Sequence, residues 1–168
     1  MWIVLPAYNE EKIIQDTLRE IQSAGYKNII VVDDGSHDQT YERAKEIAGV
    51  VVLRHKLNRG KGAATKTGIE AAKLLEAGII VTMDSDGQHN PADIARLIEP
   101  IQKNHCDVVL GTRLKNPKGM PWYKICANHV GNAITWYFYG LWVSDSQSGF
   151  RAYSRHASEL INTKTDRY

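Results

Sequence analysis

Ile79-Ile80-Val81-Thr82-Met83-Asp84-Ser85-Asp86-Gly87-Gln88-His89 is the stretch on which the fold turns. Its first five residues form a continuous, mostly apolar run, and acids and hydrogen-bonding groups follow at once. A continuous run, unlike an alternating one, is what a strand covered by helices on both faces requires. Asn90 then offers a side-chain cap, and Pro91 suits the first helical position, where its missing N–H costs nothing. The segment reads as strand, polar strand end, helix.

The same unit recurs on either side. Trp2–Leu5, Ile29–Val32 and Val50–Leu53 are further strand runs, and Val108–Leu110 is a weaker fifth. Ile14, Leu18 and Ile21 space an apolar stripe for a helix, as do Ile94, Leu97, Ile98 and Ile101. Ser36 and Gln39 have capping-box spacing, and Gly25 and Gly78 sit where helix C-caps are expected. Pro100 is expected to kink or split the helix it falls in. Strands alternating with helices predict a doubly wound, mostly parallel α/β sheet joined by right-handed crossovers, with helices on both faces. No linker, repeat or low-complexity tract interrupts the chain, so residues 1–168 are expected to form one domain. After Gly111 the alternation fades, and 112–121 reads as a loop.

Of the 168 residues, 43% are hydrophobic and 24% charged, enough for a real core. Twenty-one Lys and Arg against nineteen Asp and Glu leave a net charge of +2, with no basic block to suggest nucleic acid. Cys106 and Cys126 lack metal-ligand spacing and read as free thiols. No basic segment followed by an apolar one precedes Trp2, so no signal peptide is expected. The longest apolar stretch, Ala133 to Val143, falls short of the roughly 20 residues that span a bilayer.

Ligands of open α/β sheets bind beyond the carboxyl ends of the strands, and the polar residues here gather there. They are Pro6-Ala7-Tyr8-Asn9-Glu10, Asp33-Asp34-Gly35-Ser36, Asn58-Arg59-Gly60-Lys61-Gly62 and Asp84 to His89. Asp84 and Asp86, one residue apart, can converge on one hard cation with Gln88 as another oxygen donor, the chemistry of Mg²⁺ or Mn²⁺. An Asp-rich turn ahead of the Asn90 cap would use the same residues. Asp33 to Ser36 equally suits a turn with a helix cap or a phosphate site at a helix start. Asn58 to Gly62 supplies open backbone and two cations for a diphosphate. It matches neither the GxxxxGK[ST] loop nor GxGxxG, which counts against ATPase and dehydrogenase readings.

Taken in order, these segments resemble glycosyltransferase family 2, which has the GT-A fold of nucleotide-diphospho-sugar transferases. Gly111-Thr112-Arg113 and Asp145-Ser146-Gln147-Ser148-Gly149-Phe150-Arg151 complete the likeness, which runs from the first strand to about Arg155. Gln88-His89 and Ser148-Gly149-Phe150-Arg151 are most similar to the dolichyl-phosphate mannose synthase and polyprenyl-phosphate glycosyltransferase branch. By position, the resemblance implies that Pro6, Tyr8, Glu10 and Asp33 hold the nucleobase and ribose of a UDP- or GDP-sugar, with Asp34 and Lys61 at the donor. Asp84 and Asp86 would bind Mg²⁺ or Mn²⁺ and the diphosphate, beside Gln88. Arg113 and Lys124 would face phosphates of the donor or the acceptor, although branch members often carry arginine at Lys124 and a lysine has no bidentate fork. Similar proteins continue past the equivalent of Tyr168, so a truncated catalytic domain is expected.

The implied reaction is inverting sugar transfer, with Asp145 as base or as a group orienting the acceptor; a cap or loop hydrogen bond is its structural alternative. A polyprenyl phosphate is the expected acceptor, which implies a cytoplasmic protein with peripheral contact at the membrane's cytoplasmic face. The aromatic run Trp136 to Trp142 would serve either core packing or that contact. Transfer to a polysaccharide or other saccharide, and a non-catalytic nucleotide-sugar binding module, are the alternatives. A sugar-nucleotide pyrophosphorylase should open with a glycine-rich basic loop, which Leu5-Pro6-Ala7-Tyr8 lacks.

Overall fold

Alternate residues of the first strand go to opposite sides: Ile3, Leu5 and Ala7 join one apolar cluster and Val4 the other. The computed structural model describes residues 1–111 and 149–161. Its elements run β1 (Trp2–Ala7), α1 (Ile14–Ser23), β2 (Ile29–Asp33), α2 (Thr40–Lys45), β3 (Val50–Arg54), α3 (Lys61–Leu74), β4 (Ile79–Thr82), α4 (Asp93–Gln102), β5 (Val108–Leu110), β6 (Arg151–Ser154) and α5 (Arg155–Leu160).

The sheet order is β3-β2-β1-β4-β6-β5. β1 pairs in parallel with β2 and β4, and β2 with β3. β6 runs antiparallel to both β4 and β5. On one face Ile14, Leu18 and Ile21 of α1 and Ile94, Leu97, Ile98 and Ile101 of α4 pack on Ile3, Leu5, Ile29, Val31 and Val81. On the other, Ala64, Ile69 and Ala72 of α3 and Ala157 of α5 cover Val4, Ile30, Val32 and Ile80. Each large aliphatic side chain so buried stabilises the fold by about 1.5–3 kcal/mol. At Gly68 a Cβ would collide with the Val4 side chain, so glycine lets α3 lie close on β1 and β2.

Several local expectations change. Ser36 does not cap α2, which begins at Thr40 with no side-chain cap bond. Its hydroxyl instead accepts the Asn9 N–H from the neighbouring loop at 2.9 Å, a long-range demand that the local spacing did not reveal. Gly78 is not a C-cap. α3 turns two residues earlier, where Glu76 takes φ 55° and the Ala77 and Glu76 amides bond the carbonyls of Ala72 and Lys73. Pro100 does not split α4, because it falls in the last turn, where its carbonyl accepts the His105 N–H that closes the helix. β6 is a further strand, starting at the last residue of the Ser148-Gly149-Phe150-Arg151 motif, which local periodicity does not mark. Gly25 (φ 93°) does end α1, whereas Asn90 accepts the Ala92 N–H in a turn ahead of α4, which starts only at Asp93 with no side-chain cap bond, so that Pro91 precedes the helix.

Candidate functional site

Side-chain-to-backbone hydrogen bonds lace the strand ends into one rim. Glu10 N–H donates to Thr40 Oγ1 at 2.7 Å, and His37 N–H to Asn9 Oδ1 at 3.0 Å, tying the β1 end to the β2 end. Ser85 Oγ–H donates to the Pro6 carbonyl at 2.9 Å, tying the β4 end to β1. Asp34 does the same for the loop after β3. Its carboxylate accepts the N–H groups of Arg59 (3.1 Å) and Gly60 (2.7 Å) and faces His55 Nδ1 at 2.7 Å. His55 Nε2 in turn meets Thr67 Oγ1 on α3 at 2.9 Å. Gly35 has φ 72°, and a Cβ there would press on the backbone of Leu57 and Asn58.

This rim encloses a cleft of about 260 Å³ whose walls include Pro6, Tyr8, Glu10, Asp34, Lys61, Asp84 and Asp86. Seven of the residues named from the sequence thus meet around one cleft. Asp33 does not line it. It is fully buried, accepts the Ser36 N–H at 3.1 Å and pairs with Arg54 Nε at 3.0 Å on the adjacent strand. Gln88 is exposed, and its N–H donates to Asp86 Oδ1. Arg113, Lys124 and Asp145 lie outside the described residues, as do the aromatic run and Cys126.

Asp84 is the centre of the site. Lys61 Nζ stands 2.5 Å from its Oδ1 and His89 Nε2 stands 3.5 Å from its Oδ2. Burial pushes the Asp84 carboxyl up, but the hydrogen bonds and charges of His89 and Lys61 outweigh burial and hold it well below the usual carboxylate range. His89 is itself buried and stacks on Phe150, ring centroids 4.9 Å apart. A Cβ at Gly149 would run into the Asp84 carboxylate. In the sequence His89 and Gly149 stand out only as parts of motifs. A histidine following an acidic pair, and a glycine ahead of a strand, were the signals that carried their roles.

The cleft is acidic around Glu10. Burial first, then the charges of Asp86, Asp38 and Asp84, raise the Glu10 carboxyl above its ordinary value. A field that resists one more negative charge favours a cation. Among the described residues no three His, Cys, Asp or Glu side chains form a metal cage by themselves. Two carboxylates at an acidic rim fit Mg²⁺ or Mn²⁺ nonetheless, since such ions commonly take one or two carboxylates plus substrate phosphates. Lys61 and Asp84 also border a second cleft of about 310 Å³, reached by Thr65 and Lys66 of α3 and Arg151 and Tyr153 of β6.

A parallel sheet closed by an antiparallel strand, with paired acids at the end of β4, defines the GT-A class of sugar-transferring folds. The chain belongs to glycosyl transferase family 2, whose model matches residues 2–161. It is 41% identical to the UDP-N-acetylglucosamine–dolichyl-phosphate N-acetylglucosaminyltransferase of Methanococcus voltae, over 96% of this chain and 72% of that protein. It is 28% identical to the polyprenol monophosphomannose synthase of Mycolicibacterium smegmatis, over 95% of this chain and 63% of that one. A solved structure of Mycobacterium tuberculosis glucosyl-3-phosphoglycerate synthase, in complex with Mn²⁺, UDP-glucose and phosphoglyceric acid, matches with TM-score 0.63 at 25% identity, covering 92% of this chain and 56% of that one. The chain therefore spans between about half and three quarters of the length of these proteins. Among the described residues no helix is long and apolar enough to cross a membrane.

Proposed function

We propose that the chain carries the donor site of an inverting glycosyltransferase that moves a sugar from a UDP- or GDP-sugar to a polyprenyl phosphate. The observation that carries this reading is the Asp84 carboxylate, fixed by Lys61 and His89 at the boundary of two clefts. One cleft, walled by Pro6, Tyr8 and Glu10, suits the nucleoside. The other, bearing Lys66 and Arg151, suits an anionic acceptor. The Methanococcus voltae and Mycolicibacterium smegmatis relatives are named for dolichyl phosphate and for polyprenol monophosphomannose, which supports the choice of acceptor.

In this reading Asp84 and Asp86 hold a divalent cation, which supplies Lewis-acid neutralisation of the departing diphosphate. Lys61 adds positive charge at the same point, and Asp34 keeps the 58–60 loop in place beneath it. The bond from the anomeric carbon to the diphosphate oxygen breaks as an acceptor oxygen bonds to the opposite face. A phosphate acceptor arrives ionised, so no proton need be removed. Asp145 would then orient the acceptor, with Arg113 and Lys124 at its phosphate, and the protein would work against the cytoplasmic face of the membrane. Hydroxyl acceptors would instead require Asp145 as a base.

The test is transfer of labelled sugar from a panel of UDP- and GDP-sugars, with and without Mn²⁺, to a short polyprenyl phosphate. Metal-dependent, chloroform-soluble product is the expected result. Product on soluble saccharides alone would retire the lipid acceptor. Donor binding with no transfer to either would leave a binding module.

A further inference from the structure

The cation position beside Asp84 is already taken. Lys61 Nζ stands 2.5 Å from the carboxylate oxygen, its side chain 39% exposed against 12% for Asp84. Lys61 is the first residue of α3, and the loop before it is held by Asp34, so its Cα is fixed while its long stem is free to swing. A divalent ion at Asp84 and an ammonium group on the same carboxylate repel each other. The repulsion is strong because both charges stand at a partly buried carboxylate, where water screens them poorly.

We propose that Lys61 is a resident counter-ion for Asp84 that exchanges with the metal, and that this exchange couples metal binding to donor binding. The inference rests on the metal reading given above and goes beyond it. Without nucleotide, Lys61 neutralises Asp84 and lowers its affinity for Mg²⁺ or Mn²⁺. A nucleotide diphosphate in the cleft gives the ammonium group another anion within reach of the same stem. Lys61 moves to the diphosphate, Asp84 is released to the metal, and each ligand strengthens the other. By linkage the coupling is reciprocal. The acid then avoids standing as a bare buried charge in the empty cleft, and metal is admitted chiefly with substrate.

The experiment measures Mn²⁺ binding by electron paramagnetic resonance of the free ion, for the native chain, Lys61→Met and Lys61→Arg, with and without UDP. Lys61→Met should bind Mn²⁺ about tenfold more tightly than the native chain in the absence of UDP, a difference of about 1.4 kcal/mol. The factor by which UDP improves Mn²⁺ affinity should fall in Lys61→Met and persist in Lys61→Arg, which keeps the charge. Circular dichroism checks folding, and Lys61→Gln, which also removes the charge, takes the place of Lys61→Met if that variant does not fold. Native binding of Mn²⁺ with UDP, joined to unchanged nucleotide-free affinity in Lys61→Met, overturns the counter-ion role alone. No Mn²⁺ binding by native chain or variant, even with UDP, overturns the metal reading and this inference together.

Discussion

Replacing Asp34 with alanine should loosen the donor cleft from beneath, although Asp34 is itself only 2% exposed. The carboxylate holds three partners: two backbone N–H groups, of Arg59 and Gly60, and the His55 ring. Hydrogen bonds to a charged group contribute about 1.5–3 kcal/mol each, the upper part of the range applying where the donor is left buried. Arg59 is exposed and Gly60 partly so, and water can replace the acid for them. The His55 side chain is 11% exposed and keeps more of the penalty. A total of about 3–5 kcal/mol follows, or a fall in Tm of about 10 °C for a chain of this size. Thermal unfolding followed by circular dichroism measures it, with hydrogen exchange at Gly60 as a local check. Asp34→Asn, which keeps one acceptor oxygen, should fall between. If Asp34→Ala melts within about 2 °C of the native chain, then water alone suffices to hold the 58–60 loop, and the account of how Lys61 is placed is wrong.

Asp86→Asn should leave Tm nearly unchanged, because Asp86 is partly exposed, while removing most of the Mn²⁺-dependent part of UDP affinity; calorimetry with and without metal decides it. Glu10→Gln should raise stability at pH 7 while weakening donor binding. The raised pKa means that the folded state holds the Glu10 proton more tightly than the unfolded chain does. The native chain is therefore penalised as pH rises through the folded value, and the advantage of the glutamine should vanish below about pH 4, where Glu is protonated in both states. Melting curves at pH 4 and pH 7 test the sign, and an equal gain at both would refute the electrostatic cause.

Which residues form β1 to β5 and which helix faces are buried was legible because both depend on local periodicity. Ile14, Leu18 and Ile21, and the Ile94 to Ile101 stripe, bury as their spacing requires. Convergence of Glu10, Lys61, Asp84 and Asp86 on one cleft was legible too, since parallel strands all end at the same edge. What escaped depended on contacts distant in sequence. Nothing near Ser36 shows that Asn9 will take its hydroxyl, and nothing near Asp33 shows that Arg54 will stand in register beside it. The two aspartates of Asp33-Asp34 read alike in the sequence, yet the pleat sends one into an ion pair inside the fold and the other to the cleft wall. β6 escaped because Arg151 to Ser154 is short and its partners come from distant stretches, Ile79 to Thr82 and Val108 to Leu110.

The antiparallel β6 starts where the parallel strands stop, so Gly149 and Phe150 arrive at the reactive edge. Gly111, leaving β5, donates its N–H to the Phe150 carbonyl at 2.8 Å. Departure and return of residues 112–148 are thus pinned together by one bond, like the clasp of a necklace. Closing a longer chain across a fixed neck costs only about 0.6 kcal/mol for each doubling of its length. The β5–β6 pairing and this bond hold Gly111 and Phe150 side by side at the edge where the parallel strands end. Arg113, Lys124 and Asp145 all lie in sequence between the two ends of that clasp, whereas Pro6, Tyr8, Glu10, Asp34, Lys61, Asp84 and Asp86 stand on the frame itself.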